Sequence, residues 1–251
     1  MFDIHLRQVS LSYGDHPVFT HLDLTLKAGH WTCLLGGSGV GKTSLLRLVA
    51  GLIHQGETDT VQGTMTCSDD LPLQGRLAWM AQQDSLLPWS TVFENTTLGS
   101  RLRNTGFKLS PAVAEQAMVI LERVGLADKA NHLPQQLSGG QRQRVALART
   151  LMEDQPVVLM DEPFAAVDAI TRLNLQDLAC ELLQGKTVLL ITHDPLEALR
   201  LGHEVYHLRG QPAQLTDALL PPGIPPRALD DSELMALQGT MLERLRSEEL
   251  A

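Results

Sequence analysis

Apolar residues alternate with polar ones in a β-like way over residues 2–35. Ile4, Leu6 and Val9 form one short run. Leu22, Leu24 and Leu26 form a clean period-2 strand that ends at Lys27-Ala28-Gly29. Such alternation predicts half-buried strands, with Tyr13-Gly14-Asp15 as the turn between them. The pattern then shifts to a short apolar run, Cys33-Leu34-Leu35, a glycine-rich stretch, and a helical pattern from Ser44 to Ala50 that Gly51 closes. Residues 55–77 are rich in Gly, Thr and Asp and predict a polar hairpin. Leu77-Ala78-Trp79-Met80-Ala81 predicts a buried strand.

From about 90 to 150 the periodicity is helical. Ser110-Pro111 is a cap with proline in the first turn; Val113, Ala117, Ile120, Leu121 and Val124 follow at helical spacing, and Gly125 stops them. Two buried parallel strands are predicted after that, Val157–Met160 and Val188–Ile191, each ending in polar residues. Pro221-Pro222-Gly223-Ile224-Pro225-Pro226 reads as a stiff spacer. Asp230 with Glu233 then opens a short amphipathic helix through Leu234, Leu237, Met241 and Leu245 that folds back onto the core, with a dimer contact as the second reading. The expected organisation is one domain over 1–210 with a helical lobe at about 90–150, followed by the spacer and C-terminal helix over 211–251.

Composition narrows the class. With 251 residues, 43% hydrophobic and 20% charged, the chain can bury a large core and reads as globular. A formal net charge of -9 disfavours a nucleic-acid partner. Cys33, Cys67 and Cys180 lie far apart without metal-ligand spacing, so a reducing cytosol fits, with Cys33 a small core residue. Met1–His5 lacks the pattern of an export signal. Apolar runs such as Ala117–Leu121 are far shorter than the roughly 18 residues that a bilayer demands, so a membrane would involve another chain.

The chemistry is concentrated in a few stretches. Gly36, Gly37, Ser38, Gly39, Val40, Gly41, Lys42 and Thr43 lie between a strand and a helix, which is the setting of a phosphate-binding loop. Glycines let the backbone N–H groups turn inward, and the helix start adds partial positive charge. Lys42 can reach the β- and γ-phosphates, and the Thr43 hydroxyl can ligate Mg²⁺. A dinucleotide loop is excluded because Lys42 stands where a third glycine is needed. Leu137-Ser138-Gly139-Gly140-Gln141 combines a capping box with two poor helix formers, which leaves a second helix start open to an anion. At the end of a buried strand, Asp161 suits Mg²⁺ and Glu162 suits general-base work on water. His193 ends the next strand near such acids. Leu86-Leu87-Pro88-Trp89 is either a buried turn or a partner docking site. The predicted fold class is α/β: a phosphate-loop NTPase core with a mostly parallel sheet, an N-terminal antiparallel β region and an inserted helical lobe.

Over residues 2–210 these motifs together resemble the ATP-binding cassette family, whose hallmark is LSGGQ. The resemblance implies that Tyr13 stacks on adenine, that Ser44 joins the loop residues around ATP, and that Gln82 (favoured over Gln83) lies near the metal and attacking water. It implies Asp161 as Mg²⁺ ligand, Glu162 as base and His193 on the γ-phosphate. Ser138, Gly139, Gly140 and Gln141 would cap the nucleotide of the opposite subunit in a two-fold homodimer, with Asp168 at the seam. Two departures stand out: Ala165-Ala166-Val167-Asp168 lacks the family's usual serine, and Thr43-Ser44 reverses a common order.

Leu86–Trp89, Gly125-Leu126 and the proline-rich tail are similar to the nitrate/sulfonate/taurine importer group, which includes a thiamin-precursor branch. That implies a membrane permease, a periplasmic solute-binding protein and a peripheral place at the cytoplasmic face of the bacterial inner membrane. Rival readings are a soluble cassette acting on ribosomes or DNA, and a small kinase or GTPase with an accidental LSGGQ.

Overall fold

The computed structural model describes residues 1–53, 59–103 and 108–249. They divide into two compact units, residues 1–77 with 185–251 and residues 78–184.

The first unit begins with β1 (Ile4–Tyr13) and β2 (His16–Leu26), an antiparallel pair in which Ile4 faces Leu26 and Leu6 faces Leu24. The alternating leucines therefore share one buried face. The predicted polar hairpin is corrected. Residues 59–67 form a single strand, β4 (Asp59–Cys67), which pairs antiparallel with β1 and completes a three-stranded sheet β2-β1-β4. The beginning of that stretch, residues 54–58, lies outside the described residues. A polar strand with one exposed face finds its partner wherever an edge is open, and β1 offers one.

The parallel strands β3 (Trp31–Leu35), β7 (Thr187–Ile191) and β8 (Glu204–Arg209) run side by side in the order β7-β3-β8, with β9 (Gln214–Leu215) antiparallel at the edge. Every residue of β3 and β7 is buried, as expected of strands covered on both faces. Cys33 is one of them. Helix α1 (Lys42–Val49) follows β3, and α7 (Pro195–Leu201) follows β7 and packs on β3.

The C-terminal segment is held by Arg227. Its guanidinium is buried and donates to the carbonyls of Leu199 (2.7 Å) in the last turn of α7 and Gly202 (2.8 Å) just after it, and to those of Pro221 (2.8 Å) and Pro222 (2.5 Å). Burial lowers its pKa, and the carbonyls supply the compensating partners. Helix α8 (Ser232–Glu249) then packs against α7. It runs for 18 residues, longer than expected. Its cap is Asp231 rather than Asp230, the Oδ1 accepting from Glu233 N (2.9 Å) and Leu234 N (3.3 Å). Leu234 is buried, while Leu237, Met241 and Leu245 line a cleft of about 720 Å³ with Val205, His207 and Leu215.

In the second unit, β5 (Leu77–Met80, whose first residue closes the other unit) and β6 (Val157–Asp161) are hydrogen-bonded neighbours. The helices are α2 (Val92–Thr96), α3 (Leu98–Arg103), α4 (Pro111–Arg123), α5 (Gly139–Leu151) and α6 (Ala169–Leu182). Helix α4 starts at Ser110, whose hydroxyl accepts from Val113 N, and ends at Gly125 with φ 68°. Arg144 of α5 donates to the carbonyl of Val124 (2.8 Å) and so ties the two helices at that end. Leu121, Val145, Leu147, Leu159 and Phe164 are fully buried, each stabilising the unit by about 1.5–3 kcal/mol.

His203, just before β8, accepts a hydrogen bond at Nδ1 from Trp31 N (3.0 Å) and stacks on His30, ring centroids 4.7 Å apart. Burial, then the neighbouring His30 and Arg227, lower its pKa. A histidine held neutral when folded stabilises the fold above the unfolded imidazole pKa of about 6.5, and that contribution is lost as pH falls below it. His203→Asn, whose Oδ1 can still accept from Trp31, is expected to show a smaller fall in melting temperature between pH 7.5 and 5.5 than the unaltered chain.

Candidate functional site

The candidate residues fall in both units, and each group of them is built by its own elements. In the first unit the loop from Gly36 to Gly41 connects β3 to α1. Helix α1 differs from its neighbours in how it begins. Helices α2, α4, α5, α6 and α7 each carry a side-chain cap, from Thr91, Ser110, Ser138, Asp168 and Asp194. Helix α1 starts at Gly41 with φ 108° and no side-chain cap. A side chain is excluded at that position, since a Cβ would sit 2.6 Å from Val18 Cγ1. The first N–H groups of a helix point out of its start and not to carbonyls within it, so a start that no side chain caps is suited to an anion.

Lys42 is buried and donates from Nζ to the carbonyls of Gly36 (2.7 Å) and Gly37 (2.8 Å). Its ammonium is thereby folded back over the loop. His193 lines the same pocket of about 470 Å³ as Gly36, Gly37, Ser38 and Val40. Its turn is fixed on both sides: Asp194 N donates to Thr192 Oγ1 (3.0 Å), and Asp194 Oδ1 accepts from Leu196 N (2.9 Å) to cap α7. Tyr13 is exposed at the end of β1 and lines a second pocket with Gly39 and Val40. Its hydroxyl lies 3.4 Å from Ser44 Oγ. One unit thus assembles Tyr13, the glycine loop, Lys42, Ser44 and His193, with Thr43 the second residue of α1.

In the second unit β6 delivers Asp161, 2% exposed, as its last residue. Glu162 follows, half-buried, with φ 50°. That left-handed backbone costs a non-glycine residue about 1–3 kcal/mol, and it turns the chain so that the two carboxylates do not continue the strand. Gln82 Nε2 lies 3.4 Å from Glu162 Oε2, which separates Gln82 from Gln83 as the residue that reaches the acid. Ser138 caps α5 through a capping box: its Oγ accepts from Gln141 N (3.3 Å), and Gln141 Oε1 accepts from Ser138 N (2.9 Å). Ser138 and Gly139 are exposed at this helix start. A Cβ on Gly140 would meet the carbonyl of Ala166 at 2.9 Å, so the glycine allows the helix to approach the 165–168 turn. Asp168 caps α6, accepting from Thr171 N (3.0 Å), and this hydrogen bond lowers its carboxyl pKa.

The Leu86–Trp89 stretch is not a buried turn. Trp89 is 73% exposed. The loop beneath it is rigid, because the fully buried Asn95 accepts from Leu87 N (2.7 Å) and donates to the carbonyls of Leu87 (3.1 Å), Ser90 (2.9 Å) and Thr91 (3.0 Å). Asn95 was invisible to periodicity, since a polar residue in a short helix reads as solvent-facing. Gln143 was missed for the same reason; it donates to the Glu162 carbonyl (2.9 Å) and accepts from Ala166 N (2.7 Å).

The residues suit the groups that the motifs imply. The uncapped start of α1 beside a lysine is a fit for a polyphosphate. The Thr43 hydroxyl in the first unit and the buried Asp161 carboxylate in the second are each hard oxygen donors of the kind that Mg²⁺ takes. No helix among the described residues is long and apolar enough to cross a membrane.

Comparison with known proteins gives a consistent picture. The profile of the family described as ABC transporter matches residues 19–165. An uncharacterized ABC transporter ATP-binding protein of Haemophilus influenzae is 43% identical, covering 98% of this chain and all of that one. An aliphatic sulfonates import ATP-binding protein of Rhodococcus jostii is 41% identical over 93% of this chain and 89% of its own. Its Yersinia pestis counterpart is 38% identical over 97% and 86%. Among solved structures, the dimeric post-hydrolysis state of the ATP-binding cassette MJ0796 bound to ADP and Pi superposes with a TM-score of 0.74 at 28% identity, over 88% of this chain and all of that one.

Removing the loop's ammonium tests this half of the site directly. Lys42→Ala is expected to weaken ATP binding by about tenfold or more, the scale of a lost charge-assisted contact, as read by titration calorimetry. Affinity equal to the unaltered chain would exclude Lys42 from phosphate binding.

Proposed function

The chain belongs to the ABC transporter family as an ATP-hydrolysing nucleotide-binding subunit, and from that premise we propose that it energises the import of a small solute such as a sulfonate or a related organic anion. The relatives named for aliphatic sulfonate import support this choice; the proline-rich tail keeps a thiamin precursor as an alternative cargo. The working partners are a membrane permease, through it a periplasmic solute-binding protein, and a second copy of this chain. A nucleic acid is not among them. The place of action is the cytoplasmic face of the inner membrane.

The roles follow from the chemistry of the side chains. Lys42 and the loop N–H groups from Gly36 to Gly41 bind the phosphates, with Ser44 beside them, and Tyr13 offers its ring to the base. Thr43 and Asp161, with Gln82 nearby, would hold Mg²⁺, which would neutralise charge on the phosphates. Glu162 takes the proton of the attacking water as its oxygen bonds to the γ-phosphorus and the bond to ADP breaks. His193 donates to the γ-phosphate, and Gln82 orients the water. Ser138, Gly139, Gly140 and Gln141 present an open helix start to the partner's nucleotide, so that ATP joins two chains under two-fold symmetry, with Asp168 at the seam.

The observation that carries this reading is the asymmetry of helix starts: α1 lacks a side-chain cap where Lys42 stands, while α5 is capped yet exposed at Ser138 and Gly139. One anion can serve the first, and a second chain's anion the other. Hydrolysis releases the pair, and the motion reaches the permease through Leu86, Leu87, Pro88 and Trp89, which Asn95 holds rigid.

Glu162→Gln is expected to keep ATP binding while slowing turnover by about 10²–10⁴, measured as single-turnover ATP cleavage; unchanged turnover would remove Glu162 from the base role. Trp89→Asp is expected to abolish co-purification with the co-expressed permease and leave the subunit's own ATPase rate within about twofold, since exposed sites away from the chemistry tolerate substitution. A complex that survives the charge would refute docking through this loop.

A further inference from the structure

Gln143 sits in the second turn of α5, buried, with both ends of its amide engaged. Nε2 donates to the backbone carbonyl of Glu162 (2.9 Å), and Oε1 accepts from the backbone N–H of Ala166 (2.7 Å). These two bonds clamp the turn from Glu162 to Ala166 at its two ends. The clamped carbonyl belongs to the very residue held at φ 50°, a conformation that persists only where the surroundings enforce it. Rotation of that peptide would swing the carboxylate away from Gln82, 3.4 Å from it.

The same helix also grips the other side of this pair. Arg142 Nε donates to Asp84 Oδ2 (2.9 Å), and the Arg149 guanidinium donates to the carbonyls of Asp84 (2.8 Å) and Ser85 (2.9 Å). Burial lowers the Arg149 pKa, so its charge is kept there by these acceptors. The chain two and three residues beyond Gln82 is therefore fixed to α5, as is the turn that carries Glu162. The helix that sets both begins at Ser138.

We propose that Gln143 is a positioning residue for ATP hydrolysis: it transmits the placement of α5, and hence contact between Ser138–Gly140 and the partner's nucleotide, to the carboxylate of Glu162 in the same chain. This rests on the reading of Glu162 as base and of Ser138–Gly140 as the contact to the partner's ATP. Its consequence is that each ATP site of the dimer senses whether the other is filled. The amide is suited to the task because it is both donor and acceptor and carries no charge to bury.

The test is a double-mutant cycle on the full chain. Gln143→Met keeps the length and removes both bonds. It should lower kcat by about 10–100-fold, the scale of a small misplacement of a reacting group, with ATP affinity by calorimetry within twofold. In a Glu162→Gln background the same substitution should slow single-turnover cleavage by less than twofold, because Gln143 acts through that carboxylate. An equal loss in both backgrounds, or a matching loss of ATP affinity, would overturn the proposal.

Gln143→Asn keeps an uncharged donor and acceptor but is one methylene too short to reach both ends of the turn. It should show the same pattern with a smaller drop, and it carries the cycle if the methionine variant does not fold. Coupling between sites further requires that the rate rise cooperatively with ATP in the unaltered chain and less so in Gln143→Met; equal Hill coefficients would defeat that part. If Glu162→Gln by itself failed to slow turnover, the reading of the base would fall instead, so the two failures are distinguishable.

Discussion

A peptide N–H at the start of a helix needs an acceptor, and this chain settles that need in two ways. Among the described residues, six helices use a nearby serine, threonine or aspartate of their own. Helix α1 uses none, because Gly41 is confined by Val18 and the loop before it supplies glycines instead of caps. An anion at such a start meets several N–H groups and the partial positive charge of the helix together. A triphosphate is well matched to it in charge and in the number of acceptor oxygens. The burial of Lys42 on the loop's own carbonyls belongs to the same arrangement, since those carbonyls keep the ammonium satisfied until a stronger anionic partner replaces them.

The second unit is organised around one helix. α5 starts at the exposed Ser138, holds the 84–85 segment by two arginines, holds the 162–166 turn by one glutamine, and ties down the end of α4 by Arg144. One of its glycines serves close approach: Gly140 lets the helix come within van der Waals range of the turn after Glu162. A rigid helix gripping several loops at once moves them together, which a set of independently anchored loops would not do. The Asn95 clamp does the same on a smaller scale for the apolar tip at Trp89, and it explains how an exposed tryptophan can be held in place without a hydrophobic bed of its own.

Much of this was legible in the residue order. The strand–glycine loop–helix around Lys42, the Ser138/Gln141 capping box and the run of buried residues ending in Asp161 all act over a few neighbouring positions, and each was found where the pattern put it. The stretch before residue 77 differs from the expected hairpin because its polar strand pairs with β1, about 46 to 63 positions away, and not with its own neighbour. The start of α8 was displaced by one residue, since Asp230 and Asp231 are equally good caps by type and only the backbone path selects one. The spacing back from Leu86–Trp89 favours Gln82 over Gln83, and Gln82 Nε2 lies 3.4 Å from the Glu162 carboxylate.

The sequence by itself determined the parts whose physics is local: where N–H groups turn toward an anion, which helices carry their own caps, and which strands are apolar enough to be covered on both faces. Only the tertiary structure decided which polar side chains in buried places bind which distant backbone. Gln143 on Glu162 and Ala166, and Arg227 on Leu199 and Gly202, join positions about 20 to 30 residues apart. Such a partnership leaves no periodic trace, because a buried glutamine or arginine looks like any surface residue until the chain folds and brings an unsatisfied carbonyl within reach.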